Sequence, residues 1–99
     1  MPAYVINDME VVNPSLLEEY KKLSPATVAQ YGGRFLARGG ALEAVEGGWT
    51  PQRLVILEFP SKAQAQAWLD SPEYAPAKAL RQQAARSRMV IVEGVAPAL

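Results

Sequence analysis

Tyr31-Gly32-Gly33-Arg34-Phe35-Leu36-Ala37-Arg38-Gly39-Gly40 is the stretch around which the rest of the chain is arranged. One glycine pair closes a helix, Arg34 to Arg38 runs out as a short strand, and a second glycine pair stops it. Upstream, Asn13-Pro14 offers an N-cap and a proline at the first helical position. Leu16, Leu17, Tyr20 and Leu23 follow at helical spacing, with Glu18, Glu19, Lys21 and Lys22 on the other side. Ser24-Pro25 is expected to break or restart this helix, leaving Ala26 to Tyr31 as its last turns and Gly32 as its left-handed stop. Before it, Ala3 to Val12 opens β-branched and aromatic and reads as a strand.

Downstream, Ala41 to Glu46 is expected to continue extended, and Gly47 to Pro51 is a loop by composition. Arg53-Leu54-Val55-Ile56-Leu57-Glu58-Phe59 is the clearest strand. Pro60 ends it, and Ser61 with Gln64 forms a capping box for a helix to about Asp70. Ser71-Pro72-Glu73 restarts a helical piece through about Arg86, with Tyr74, Ala77, Leu80 or Arg81, and Ala84 along one side. Arg88 to Val95 closes as a strand, and the tail after Ala96 is expected to be loose. The order βαββαβ over a single domain, residues 1–99, predicts an α+β, ferredoxin-like sandwich with a four-stranded antiparallel sheet and helices on one face.

A sheet with one wet face should alternate cleanly between apolar and polar. Leu54 to Phe59 is apolar on both faces apart from Glu58, and so is Met89 to Val92. The second face therefore needs cover, and a second copy of the same sheet is the simplest cover. The 49 % hydrophobic content supports this, since a chain this short buries only about two-thirds of its unfolded surface. The expectation is a homodimer through facing sheets.

Ten basic and ten acidic residues cancel, and no charge block runs along the chain, so nucleic acid and anionic membrane have no electrostatic support. No stretch reads as a signal peptide or membrane span, and cysteine is absent, which leads to an expectation of a cytoplasmic protein. The absence of histidine removes the commonest general base, the Ser-His-Asp and Cys-His pairs and every imidazole ligand. No carboxylate cluster has metal spacing and no glycine motif sits in a phosphate loop, so neither metal nor cofactor is expected.

The run from Tyr31 to Gly40, then Glu46 to Arg53, Glu58-Phe59-Pro60-Ser61, Trp68 to Tyr74, and Val92-Glu93-Gly94 together resemble a small bacterial family, the domain of unknown function numbered 1330. The resemblance spans Tyr4 to Gly94. It implies a place in the dimeric α+β barrel superfamily, whose members include cofactor-free monooxygenases, lactone isomerases, haem enzymes and ligand-binding regulators. The haem branch relies on an axial histidine, which this sequence lacks.

Arg34 and Arg38, four apart on a strand, are expected on the same face about 13 Å apart. They suit an anion clamp, or equally the charged rim of an edge strand. Gly39 and Gly40 either admit a ligand to the backbone or form a bulge. Glu58, flanked by Leu57 and Phe59, is a candidate general acid or base if buried, or one half of an ion pair with Arg53 or Arg34. Trp68 belongs to the core, whereas Trp49 fits a pocket mouth, a core cap or, preferably, the dimer seam. Tyr4, Tyr31 and Tyr74 could each bring a hydroxyl to a pocket. Catalytic candidates are thus Glu58 and Tyr4, and ligand-binding candidates are Arg34, Arg38, Gly39, Gly40, Trp49 and Arg53.

The functional expectation is a cofactor-free enzyme acting on a small carboxylated or aromatic molecule, with its pocket between sheet and helices. The alternative is a non-catalytic, ligand-binding or stress-related dimer. The enzyme requires Glu58 in a cavity and free of arginine; the binder requires only the cavity. A purely structural dimer would have a filled interior.

Overall fold

The computed structural model describes residues 1–96, so the tail expected to be loose, after Ala96, lies outside the described residues. The elements are β1 (Ala3–Val11), α1 (Pro14–Gln30), β2 (Arg34–Arg38), β3 (Arg53–Phe59), α2 (Lys62–Leu69), α3 (Ala75–Ala84) and β4 (Ala85–Glu93). All strand pairings are antiparallel, in the order β2-β3-β1-β4. Inward residues Val5, Leu57 and Phe59 pack against Val28, Ala65, Trp68, Tyr74 and Ala77 of the helical layer. This is the expected ferredoxin-like sandwich.

The helix starts follow the local chemistry. Asn13 Oδ1 accepts from the Leu16 N–H at 3.3 Å, and Ser61 Oγ accepts from the Gln64 N–H at 3.0 Å. Gly32 stops α1 at φ +77°.

Helix α1 does not break at Ser24-Pro25; it runs through Pro25 without interruption. Proline has no N–H to give the carbonyl four residues back, which is that of Lys21. Arg38 supplies the missing donor: its Nη2 reaches the Lys21 carbonyl oxygen at 2.9 Å. The guanidinium crosses the Phe35 ring, 4.5 Å from its centroid, to get there. A proline that should interrupt a helix is thus accommodated by a strand residue.

Other boundaries shift as well. Residues 41–46 are irregular rather than extended, and the following Gly47 and Gly48 have φ of +87° and +70°. The last helix stops at Ala84, two residues before the expected end, because Val12 and Asn13 donate to its carbonyl at 2.8 and 2.9 Å. Ala85, Arg86 and Ser87 then pair with Val11, Glu10 and Met9 as the start of β4.

The expected Arg34–Arg38 clamp is corrected. Arg34 lies opposite Glu58 and Phe35 opposite Leu57, but Ala37 pairs with Ile56 and Arg38 with Val55. Leu36 is the extra residue of a bulge, and one inserted residue reverses the alternation beyond it. Arg34 therefore faces the open side of the sheet and Arg38 the helical side.

The open side carries Tyr4, Ile6, Leu54, Ile56, Val90 and Val92, with Val90 57 % and Val92 46 % exposed. Charged neighbours frame it: Arg34 Nε to Glu58 Oε1 at 2.7 Å, Arg86 to Glu10 at 4.0 Å, and Asp8 paired in register with Arg88.

Candidate ligand-binding site

β1 sends Ala3, Val5, Asn7 and Met9 inward by strand alternation. Asn7 is the polar member, only 5 % exposed. From β3 the inward set is Arg53, Val55, Leu57 and Phe59, with the polar member at its start. These strands, with Tyr20, Lys21, Ser24 and Val28 of α1, Phe35 and Arg38 of β2, and Met89 of β4, enclose a cavity of about 20 Å³. Roughly 10–15 Å³ on this scale holds one water, so the closed space holds little more than that and a ligand must open it at the rim. Lys21 and Arg38 form its more exposed rim.

The lining mixes apolar side chains with Asn7, Tyr20, Ser24 and Arg53, and with Lys21 and Arg38 at the rim. Asn7 Oδ1 and Arg53 Nε are buried without a hydrogen-bond partner. Native interiors rarely leave such atoms unsatisfied, and when they do the site calls for an explanation. Arg53 is held by packing: a Cβ placed on Gly39 would strike its guanidinium, so the bare backbone of Gly39 admits it. Arg38 commits one N–H to the Lys21 carbonyl and keeps others available.

Behind the cavity runs a hydrogen-bonded chain. Arg81, 6 % exposed, donates from Nε to the Tyr74 hydroxyl at 3.1 Å, and the Tyr74 and Tyr20 hydroxyls lie 2.9 Å apart. None of the ion pairs among the described residues involves Arg81. Burial, and then the neighbouring Tyr74, push the Tyr20 phenol well above the usual tyrosine range, outweighing the opposing influence of Arg81. Trp68 lies against Tyr74 and Phe59, with ring centroids 4.1 and 5.3 Å away, and donates from Nε1 to Thr27 Oγ1 at 3.1 Å.

Of the residues singled out in the sequence, Arg38 and Arg53 line this cavity and Gly39 adjoins it. Gly40 stands clear, with nothing near the position of a Cβ. Glu58 is on the opposite face, ion-paired to Arg34, and Tyr4 is on that face beside it. Trp49 is there too, 54 % exposed, its Nε1 donating to Asp8 Oδ2 at 3.0 Å. Asn7, Tyr20, Ser24 and Arg81 were not singled out as site residues. Asn7 had a detectable signal, as a polar residue in the inward register of an apolar strand. Arg81 had another, falling on the same helical side as Tyr74, Ala77 and Ala84. Among the described residues no group of three His, Cys, Asp or Glu side chains could hold a metal ion, and no helix is long and apolar enough to cross a membrane.

The family comparison covers nearly the whole chain: residues 2–95 match the domain of unknown function DUF1330. The chain belongs to this family. No curated protein matches this DUF1330 chain. Among solved structures, it is similar to the methylated RPA0582 protein of Rhodopseudomonas palustris, with 20 % identity, TM-score 0.74, and coverage of 99 % of this chain and 84 % of that one. A dimeric ferredoxin-like protein of unknown function from Jannaschia sp. CCS1 shares 16 % identity at TM-score 0.70, covering 95 % of this chain and 100 % of that one. SnoaB, a cofactor-independent oxygenase from Streptomyces nogalater, shares 13 % identity at TM-score 0.67, covering 97 % and 95 %. At these identities the likeness is one of fold.

Proposed function

We infer that this DUF1330 protein binds a small carboxylated or aromatic molecule in the cavity between sheet and helices, as a cytoplasmic bacterial homodimer. The observation that carries the reading is that Asn7 and Arg53, whose Oδ1 and Nε are buried without a partner, both belong to the wall of one chamber. A few fixed polar groups within apolar walls are the usual composition of a small-molecule site. The modest volume means that the ligand enters head first, its body displacing the exposed Arg38 side chain at the rim. Arg53 orients the anionic end.

The binder is favoured over the cofactor-free enzyme because Glu58, the candidate proton carrier, is paired with Arg34 on the far face. Catalysis remains the second reading, favoured by the Tyr20–Tyr74 hydroxyl pair at the chamber wall and compatible with a fold that SnoaB also uses. The dimer is supported by the exposed Val90 and Val92, by Trp49 at the rim of the same face, and by the dimeric Jannaschia neighbour.

A thermal-shift screen of aromatic and aliphatic carboxylates, lactones and phosphates tests the binding. A ligand at a hundredfold its Kd adds about 2.7 kcal/mol of stability. The shift should be lost in Arg53→Met. A shift of full size in that variant would move the site elsewhere.

A further inference from the structure

Among the described residues that line the chamber, Arg38 is the one that is exposed; the rest are buried or half-buried. The chamber therefore meets solvent at this side chain. Arg38 is held there at two points. Its Nη2 donates to the Lys21 carbonyl oxygen at 2.9 Å, and its guanidinium carbon stands 4.5 Å from the centroid of the Phe35 ring. Lys21 and Phe35 belong to the lining themselves, one on α1 and the other on β2, so the guanidinium spans from helix to strand. None of the ion pairs among the described residues includes Arg38. Its one hydrogen-bond acceptor is neutral, and that acceptor is free because Pro25 has no N–H to give it.

We propose that Arg38 is the gate of the chamber and that the proline inside α1 supplies its latch. In the closed state the guanidinium lies on Phe35 and is fastened to the Lys21 carbonyl. To open, the side chain rotates into solvent while the backbone stays in place, a movement open to exposed side chains. The latch bond is itself exposed, so water takes over both of its halves when it breaks, and only its small net strength is lost. The closed chamber, about 20 Å³, then widens by the space the arginine filled. This deepens the binding reading and rests on it for its purpose, since it describes how a molecule larger than the closed space enters. The opening itself is followed without any ligand.

Trp68 is a built-in reporter. It lines the chamber and is 1 % exposed, and the second tryptophan, Trp49, is bonded to Asp8 on the opposite face of the sheet. In a Trp49→Phe background, quenching of the remaining indole by acrylamide, a small neutral probe, should be weak. Adding Arg38→Met keeps a side chain of similar reach but removes the donor and the charge. It should raise the quenching constant about fivefold, the change in an opening equilibrium when one hydrogen bond of typical net strength is lost. Adding Pro25→Ala instead leaves Arg38 whole and gives the Lys21 carbonyl a helical N–H. Quenching should rise here too, with a melting temperature no lower than the background, because alanine suits a helix interior better than proline. That combination separates an unlatched gate from a loosened fold. Strong quenching in the background, or a constant that neither substitution moves, overturns the gate. A rise in Arg38→Met alone makes the arginine a plug with no latch and overturns the proposal as well. The binding reading stands or falls separately, in the thermal-shift screen and its loss in Arg53→Met, and a panel without a hit leaves the quenching results as they are.

Discussion

Gly39 and Gly40 stand side by side in the sequence and have opposite standing in the fold. Gly39 has φ +67° and its Cα faces the Arg53 guanidinium, whereas Gly40 has nothing near it. Gly39→Ala should therefore cost about 1–2 kcal/mol from the left-handed backbone alone. Gly40→Ala should stay within about 0.5 kcal/mol, as surface changes usually do. Urea denaturation of both variants checks the pair. Tyr20 provides a second residue-scale expectation. Its phenol is raised in the folded protein, so the stability it contributes is complete below the unfolded value of about 10 and is lost as pH rises beyond it. Unfolding free energy should fall more steeply above about pH 10 in wild type than in Tyr20→Phe. Neither feature could be assigned from the sequence alone. Tyr20 sits in an apolar helical stripe like any core aromatic, and only its distance from Tyr74 sets it apart.

At the scale of elements, α1 and β2 are joined by one hydrogen bond that each needs for its own reason. Pro25 leaves the Lys21 carbonyl without its helical donor, and Arg38 fills that place. Arg38→Ala should thus cost about 1 kcal/mol, the net value of a typical intramolecular hydrogen bond. In a Pro25→Ala background the helix supplies its own N–H, and the same truncation should cost markedly less. A double-mutant cycle by chemical denaturation measures the coupling, and strict additivity would refute it. Most elements were legible in advance because caps and periodicity are local: Asn13, Gly32, Pro60 and Ser61 mark boundaries where the structure has them. What was not legible depended on partners distant in sequence. The break expected at Pro25 was prevented by Arg38, and the end of α3 was set by Val12 and Asn13. The facing of Arg34 and Arg38 was reversed by a single bulge at Leu36, which period-two counting cannot detect.

For the whole molecule the open sheet face is the governing feature. Val90 and Val92 are exposed in one chain although they belong to the apolar run Met89 to Val92. A stable facing-sheet dimer needs about 1,200–2,000 Å² of buried surface in total. Sedimentation equilibrium at micromolar concentration should give twice the 10.8 kDa chain mass. Val90→Lys, which places a charge on that exposed face, should return the mass to a single chain while far-UV circular dichroism stays unchanged. A single-chain mass for the wild type would reject the assembly. The sheet, its two apolar faces and a pocket between sheet and helices were readable, with Arg38 and Arg53 among its walls, but Asn7, Tyr20 and Ser24 were not, because the polar groups come from four different elements that meet only once the sheet has formed.

The strand order has a consequence for how the chain is made. β1 is the first strand to be synthesised, yet it lies inside the sheet, between β3 and β4. Both its neighbours come from the later half of the chain, and the last to arrive pairs Ala3 with Glu93. On the ribosome β3 can cover one edge of β1 midway, but the other edge stays bare until β4 has emerged. Contacts of such sequence separation close slowly and leave apolar edges open to chance pairing. Nascent chains halted at Ala84 should be captured by a holdase chaperone more readily than chains halted beyond Glu93, because only the longer ones can occupy the second edge of β1.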